Sequence, residues 1–483
     1  MTDPFDVFAA ARQAPERLAL AEPERHWTYA EMAALSARAL GWLQAHGVAL
    51  AAGAAESAVA VLAEPTPHQI AMTFALLAAG VPCLPVHPRL TESERSALLA
   101  RAQSPLYVDT TWQHAPVVAP AATTLRHSHG PEAPLALVQT SGTTAGPRLA
   151  CLSRRAFQAS AAASAAHLGW TPNDRWLLAL PFAHIGGLSI LTRCLAARSA
   201  IALPLPTLAP RGGPGQNAAR VAESLARLEV SLLSLVPTQL EQLLELRGWS
   251  APSTLRAVLV GGAAASVATL ERARARGLPV LASYGMTETC SQICTQALRA
   301  DPPEAGVGHP LPGVEVEIVD GEIYARGSML FSGYWGEAEV YGPSTWFATS
   351  DLGHIDAAGC LHVLGRLADR IISGGENVNP LEVEQVLAPA VAPRRLCVFG
   401  RDDALWGEQV AVAIEGAADP TLIDRLLLAS QALAAFKRPR AVTFVEQLPE
   451  LASGKLLRRT LKDSSSLALT PLGSPPGSGY TSG

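Results

Sequence analysis

The chain has 483 residues, of which 49% are hydrophobic and 16% charged, and a formal net charge of -5. This balance describes a folded protein with a substantial core and excludes a disordered one; with no basic stripe it gives no reason to expect nucleic acid, so a small-molecule partner is favoured. Seven cysteines, odd in number and without a Cys-x-x-Cys pair, argue against a disulfide framework and for a reducing cytoplasm.

By length alone the chain holds roughly three domains, or one large domain and a small one. Its N-terminus, "MTDPFDVFAAARQAPERLAL", starts acidic and lacks the basic-then-apolar layout of a signal peptide. Helical periodicity marks "FDVFAAARQA" and "YAEMAALSARALGWLQAHG", the second stopping at Gly47. The apolar runs "ESAVAVLA", "PCLPV", "SAIALPL", "RAVLVGG" and "PVLASYG" read as buried strands, and the alternation predicts an α/β domain with largely parallel sheets. "LLALPFAHIGGLSILTRCL" is broken by Pro181, His184 and two glycines before Arg193, so it is not read as a membrane span. After about residue 306 the alternating "VEVEIVDGEIYARG" reads as antiparallel β. Beyond Arg366 the mixed helix and strand signals suit a separate small α+β domain, and residues 463–483, rich in Ser, Gly and Pro, are expected to be disordered.

One stretch poses a chemical question. In "LVQTSGTTAGPRLACLS" an apolar run gives way to hydroxyls, glycines and a cation. Such a loop presents backbone N–H groups and short donors to phosphate oxygens. The Walker A spacing fails, because the fifth residue after Gly142 is Pro147. A plain polar turn between two strands remains the alternative reading of this loop on its own.

Four further stretches follow in order: "VLVGGAAA" (258–265), "SYGMTETCSQ" (283–292), "TSDLGHIDAAGCLHVLGRLADRIISGGENVNPLEVEQVL" (349–387) and "LPELASGKLLRR" (448–459). Together the five closely resemble the signature motifs of the adenylate-forming superfamily of acyl-CoA synthetases, peptide-synthetase adenylation domains and luciferases. The resemblance runs from about residue 5 to 462. It implies a large N-terminal domain (1–366) of α/β subdomains plus a small β-barrel-like part, and a small mobile α+β C-terminal domain (367–462). It also implies ATP, Mg²⁺ and coenzyme A as cofactors.

The resemblance assigns the residues as follows. Thr140, Ser141, Gly142, Thr143, Thr144 and Arg148 form the pyrophosphate loop, where donors and a cation hold the β- and γ-phosphates. Gly261, Gly262 and Ala263 let the backbone approach a planar base. Tyr284 offers a face for adenine, Thr287 a hydroxyl for the α-phosphate, and Glu288 a hard oxygen ligand for Mg²⁺. Asp351 accepts from the ribose hydroxyls, and Arg366 contacts ribose or phosphate. Lys455 reaches from the mobile domain to the charge developing between carboxylate and α-phosphate. After a domain rotation Gly374 and Gly375 line the pantetheine channel; a glycine turn before a helix near Pro380 explains the same residues structurally. Three positions depart from the family pattern: Ala145 for a glycine, Arg148 for a lysine, and Ala368 for a charged hinge residue.

The stretches around the acid pocket look most like o-succinylbenzoate:CoA ligases of menaquinone synthesis. That acid carries two carboxylates, and Arg193, nine residues after His184, is the candidate counter-charge for the unreacted one; a helix-surface arginine is the plain alternative. His184 lines or gates the pocket, or is a buried core histidine. Gly285 and Ser291 are assigned to the substrate, with Gln292 beside them, although loop capping also accounts for Ser291. The expected partner is a small aromatic carboxylic acid, with a homodimer left open and with no nucleic acid or membrane. Rival readings are an aryl-CoA ligase for benzoate or anthranilate, a catalytically weak adenylate-binding protein, and a ligase that loads a carrier protein.

Overall fold

The computed structural model describes residues 3–48, 57–115, 130–140, 148–205, 214–298, 300–450 and 456–472. Two compact units emerge. One comprises Met1–Val316, Ala325–Phe347 and Gly359–Leu361, and the other Glu317–Tyr324, Ala348–Ala358 and His362–Gly483.

The first unit contains two large sheets. In the nine-stranded sheet, Val280–Met286, Ala257–Val260, Leu232–Leu235, Arg175–Leu177, Ala200–Ala202 and Leu18–Ala21 run parallel, and antiparallel strands close both sides. The six-stranded sheet has the order Gly333–Tyr334, Leu149–Ser153, Pro134–Gln139, Cys83–Val86, Val59–Leu62, Tyr107–Val108. The sequence AVLV at Ala257–Val260 is buried throughout, as a strand covered on both faces requires. Helices supply that cover. Helix Pro67–Ala79 starts from a Thr66 cap, ends at left-handed Gly80, and is buried at every residue but His68. Helix Tyr29–Ala45 begins with a Thr28/Glu31 capping box.

The antiparallel texture after residue 306 becomes a four-stranded sheet in the order Val314–Val319, Glu322–Gly327, Phe347–Ile355, Leu361–Arg366. This corrects the expected barrel-like part: the sheet is open, since four strands are too few to close around a side-chain core.

In the second unit, Leu396–Asp403 and Gly407–Glu415 form a long antiparallel hairpin, and Ala441–Val445 pairs parallel to Gly407–Glu415. Helices Pro380–Val391 and Pro420–Ser430 contribute Val383, Leu387, Leu422 and Leu426 to the core against this sheet. Arg458, mostly buried, is bidentate on Glu384, with Nη2–O distances of 2.8 and 2.7 Å. The expected disordered tail is corrected in part. Thr470–Pro471 pairs antiparallel with Ala441–Val442, and Leu467 and Leu469 pack against a buried cluster containing Phe399 and Leu448. Two leucines with period-two spacing anchor a segment whose Ser and Pro content alone suggests disorder.

Candidate active site

Strands Pro134–Gln139 and Leu149–Ser153 form a hairpin in which Gln139 faces Leu149, and Thr140 N donates to Arg148 O at 2.9 Å. Thr140 and Arg148 therefore stand opposite each other where the two strands end. Ser141, Gly142, Thr143, Thr144 and Ala145 lie outside the described residues.

Arg148 is already engaged. Its Nε donates to Glu337 Oε1 at 2.8 Å, its Nη2 bonds Glu337 Oε2, and its guanidinium carbon lies 3.2 Å from the Tyr334 ring centroid. The hydrogen bond with Glu337 holds the arginine above its ordinary range and Glu337 below the usual carboxylate range. Tyr334 Oη in turn donates to Glu288 Oε1 at 2.8 Å. Burial, and then the Glu288 charge, push the Tyr334 hydroxyl upward. Glu288 sits in a short turn, Thr287–Thr289, and is only 7% exposed. Sequence reasoning missed Tyr334 and Glu337, because nothing in "SGYWGE" by itself separates them from ordinary strand and turn residues.

The "SYGMTE" strand, Val280–Met286, returns as Ser291–Thr295 through that turn. Cys290 and Ser291 have φ of +50° and +91°, a left-handed pair that only a tightly fixed turn sustains. A Cβ at Gly285 would lie 1.9 Å from Ser291 O. Gly285 is thus required by closure of the hairpin. Tyr284 is buried, at 9% exposure. Gly261 approaches a neighbouring strand, since a Cβ there would lie 2.9 Å from Ser283 O, and Gly262 follows with φ +79°. Ala263 is exposed.

Arg193, on helix Ile185–Ala197, is buried to 2% exposure and is not the surface arginine of the plain alternative. It donates to Gln292 Oε1 at 3.0 Å and to Ser160 Oγ at 3.3 Å, while its Nε has no partner among the described residues. Trp176 lies 5.5 Å from its guanidinium carbon. Among the described residues its partners are neutral and no carboxylate pairs with it, and desolvation pushes it down to about 10. His184 stands at the N-cap position of the same helix without a side-chain capping bond and faces His87 across 5.4 Å, and burial depresses both rings, His87 to about 4.

In the second unit, Arg366 Nε lies 2.8 Å from Asp351 Oδ1, and Asp351 is 6% exposed. The neighbouring strands Phe347–Ile355 and Leu361–Arg366 bring the pair together. Gly374 and Gly375 form the two-residue turn between Ile371–Ser373 and Glu376–Val378, with φ of +61° and +83°. A Cβ at Gly374 would meet the Trp406 ring at 2.8 Å. Ala368 is exposed in the turn Leu367–Asp369. Lys455 lies outside the described residues, in a segment bracketed by a Glu450–Leu456 bridge.

An arginine that stacks on Tyr334 and a buried carboxylate bonded to that same tyrosine, together with a strand-end tyrosine and threonine, are groups that nucleotide adenylation can use. Residues 7–335 match the AMP-binding enzyme family, and residues 382–455 match its C-terminal domain. The chain belongs to this family of adenylate-forming enzymes. It is 32% identical to the 2-succinylbenzoate–CoA ligase of Bacillus pumilus over 497 residues, 96% of this chain and 98% of the relative. It is 37% identical to that of Listeria monocytogenes over 333 residues, 68% of this chain and 69% of the relative. The structure of o-succinylbenzoate CoA synthetase from Bacillus subtilis in complex with its acyl-adenylate intermediate matches with a TM-score of 0.84 at 31% identity, covering 96% of this chain and 98% of that one. No helix among the described residues is long and apolar enough to cross a membrane.

Proposed function

We propose that the protein is an ATP-dependent 2-succinylbenzoate:CoA ligase. One carboxylate oxygen of the acid attacks the α-phosphorus of ATP, the bond to pyrophosphate breaks, and the thiol of coenzyme A then displaces AMP from the acyl carbon. Similarity to 2-succinylbenzoate–CoA ligases along nearly the whole chain supports this reading. The observation that carries the choice of acid is Arg193: a buried guanidinium with no acidic partner among the described residues suits the carboxylate that is not activated.

The other roles are those that the resemblance to the family implies. Arg148 and the phosphate loop hold the terminal phosphates, and the Thr287 hydroxyl donates to the α-phosphate. Mg²⁺ supplies neutralisation of phosphate charge when bound. Glu288 fits as its ligand: it is a buried carboxylate with one oxygen held by Tyr334, and Mg²⁺ in such sites needs only one or two carboxylates beside phosphate oxygens. Asp351, oriented by Arg366, accepts from the ribose hydroxyls. Lys455 stabilises the charge that develops between carboxylate and α-phosphate. Gly374 and Gly375 keep the pantetheine path clear, and residues 367–462 act as the mobile domain. Compartment and assembly belong to the same reading: a cytoplasmic enzyme, with a homodimer left open.

Mass-spectrometric product detection tests the reading, with ATP, Mg²⁺ and coenzyme A and with o-succinylbenzoate, benzoate and anthranilate offered in parallel. A dominant o-succinylbenzoyl-CoA peak is expected. Preference for a simple aryl acid would keep the chemistry and overturn the substrate.

A further inference from the structure

Glu288 belongs to a chain of four side chains in the first unit. Tyr334 Oη donates to Glu288 Oε1 at 2.8 Å. The Tyr334 ring is held on one side by Arg148, whose guanidinium carbon lies 3.2 Å from the centroid, and by the edge of Phe331 with centroids 4.9 Å apart. Phe331 is itself packed against Tyr341 and Phe347 at 4.8 and 5.2 Å. Glu337 then fixes Arg148.

Backbone register explains the assembly. Tyr334 pairs with Ala150, and Trp335 N donates to Leu149 O at 2.8 Å, so the strand carrying Tyr334 runs beside the residues that follow Arg148. An arginine can lie flat on the ring while its edge grips Glu337; a lysine ammonium is a point charge and cannot do both. The departure from lysine at position 148 acquires a structural purpose here.

We infer that Tyr334 is a positioning residue for the metal-binding carboxylate, linking the cation at the end of the phosphate loop to Glu288. The inference rests on the reading of Glu288 as the Mg²⁺ ligand. Tying down one carboxylate oxygen fixes the direction in which the other lone pairs point. Mg²⁺ accepts little departure from octahedral geometry, so a carboxylate free to rotate binds it less well. Among the described residues the second Glu288 oxygen takes no hydrogen bond, which leaves it for a ligand.

Calorimetric binding of α,β-methylene-ATP to the full chain, in EDTA and in saturating Mg²⁺, separates the possibilities. In the wild type Mg²⁺ should tighten binding. Tyr334→Phe should reduce that enhancement on the order of tenfold, the usual effect of losing an outer partner of a metal ligand, with affinity in EDTA unchanged. An undiminished enhancement, or an equal loss in EDTA and in Mg²⁺, overturns the inference. If Tyr334→Phe fails to fold, Arg148→Lys is read only by the ratio of affinities with and without Mg²⁺, because Arg148 also holds phosphate in both conditions: it keeps the charge and removes the flat stack, and an undiminished ratio is again fatal. Glu288→Gln separates this inference from the reading beneath it. If Glu288→Gln retains the enhancement, the Mg²⁺ assignment fails; if it loses the enhancement while Tyr334→Phe does not, only the role of Tyr334 fails.

Discussion

Replacing Arg193 by Met sets stability against function. Burial pushes the guanidinium down to about 10, which corresponds to roughly 3 kcal/mol of unfavourable free energy for keeping it charged in the fold. The sign is fixed: because the folded value is lowered, the penalty is constant at every pH below about 10 and is relieved only above it. Methionine removes that penalty and fills most of the volume. It also removes the hydrogen bonds to Gln292 and Ser160. Ser160 keeps its bond to Cys290 O at 2.7 Å, and Gln292 Oε1, which loses the arginine, still accepts from Ser164 Oγ at 3.5 Å, so the loss is about 1–2 kcal/mol. Arg193→Met should therefore be as stable as the wild type or more stable by up to about 2 kcal/mol. Its KM for o-succinylbenzoate should rise on the order of 10- to 100-fold, because a buried carboxylate loses its charged partner, with little change for benzoate. Thermal unfolding of the ligand-free protein at neutral pH, and pyrophosphate release with each acid, read the two effects. Destabilisation beyond about 3 kcal/mol with both acids affected alike would refute the reasoning and make Arg193 a structural residue.

Three further outcomes are expected. His87 is depressed to about 4 by burial and by His184, so protonation favours the unfolded chain and stability falls as pH drops from the ordinary histidine range toward 4; His87→Gln should flatten that limb of a Tm-versus-pH curve, and an unchanged slope would count against the pair. Gly285→Ala should cost about 3 kcal/mol or more, since the added Cβ would fall 1.9 Å from Ser291 O, and a denaturant midpoint near wild type would show that the hairpin opens easily. Lys455→Ala should abolish pyrophosphate release while sparing thioester formation from supplied acyl-adenylate; persistence of both half-reactions would remove Lys455 from its role.

The ordered motifs carry the family in the sequence itself, because phosphate, ribose and metal contacts require particular side chains at fixed local spacings. The helices near Phe5 and Tyr29 and the strands at Val59, Cys83, Ala257 and Val280 were legible for a related reason: periodicity and burial on both faces are written locally. Tail order was not legible, since Thr470–Pro471 is held by a distant strand edge at Ala441–Val442. Only the tertiary structure brought Glu337 to Arg148 across 189 residues, Tyr334 to Glu288 across 46, and Arg193 to Gln292 across 99. Those partners are selected by strand register and helix packing, which no local pattern encodes. A charged residue in the sequence therefore announces that chemistry is available, and the fold decides which group it holds.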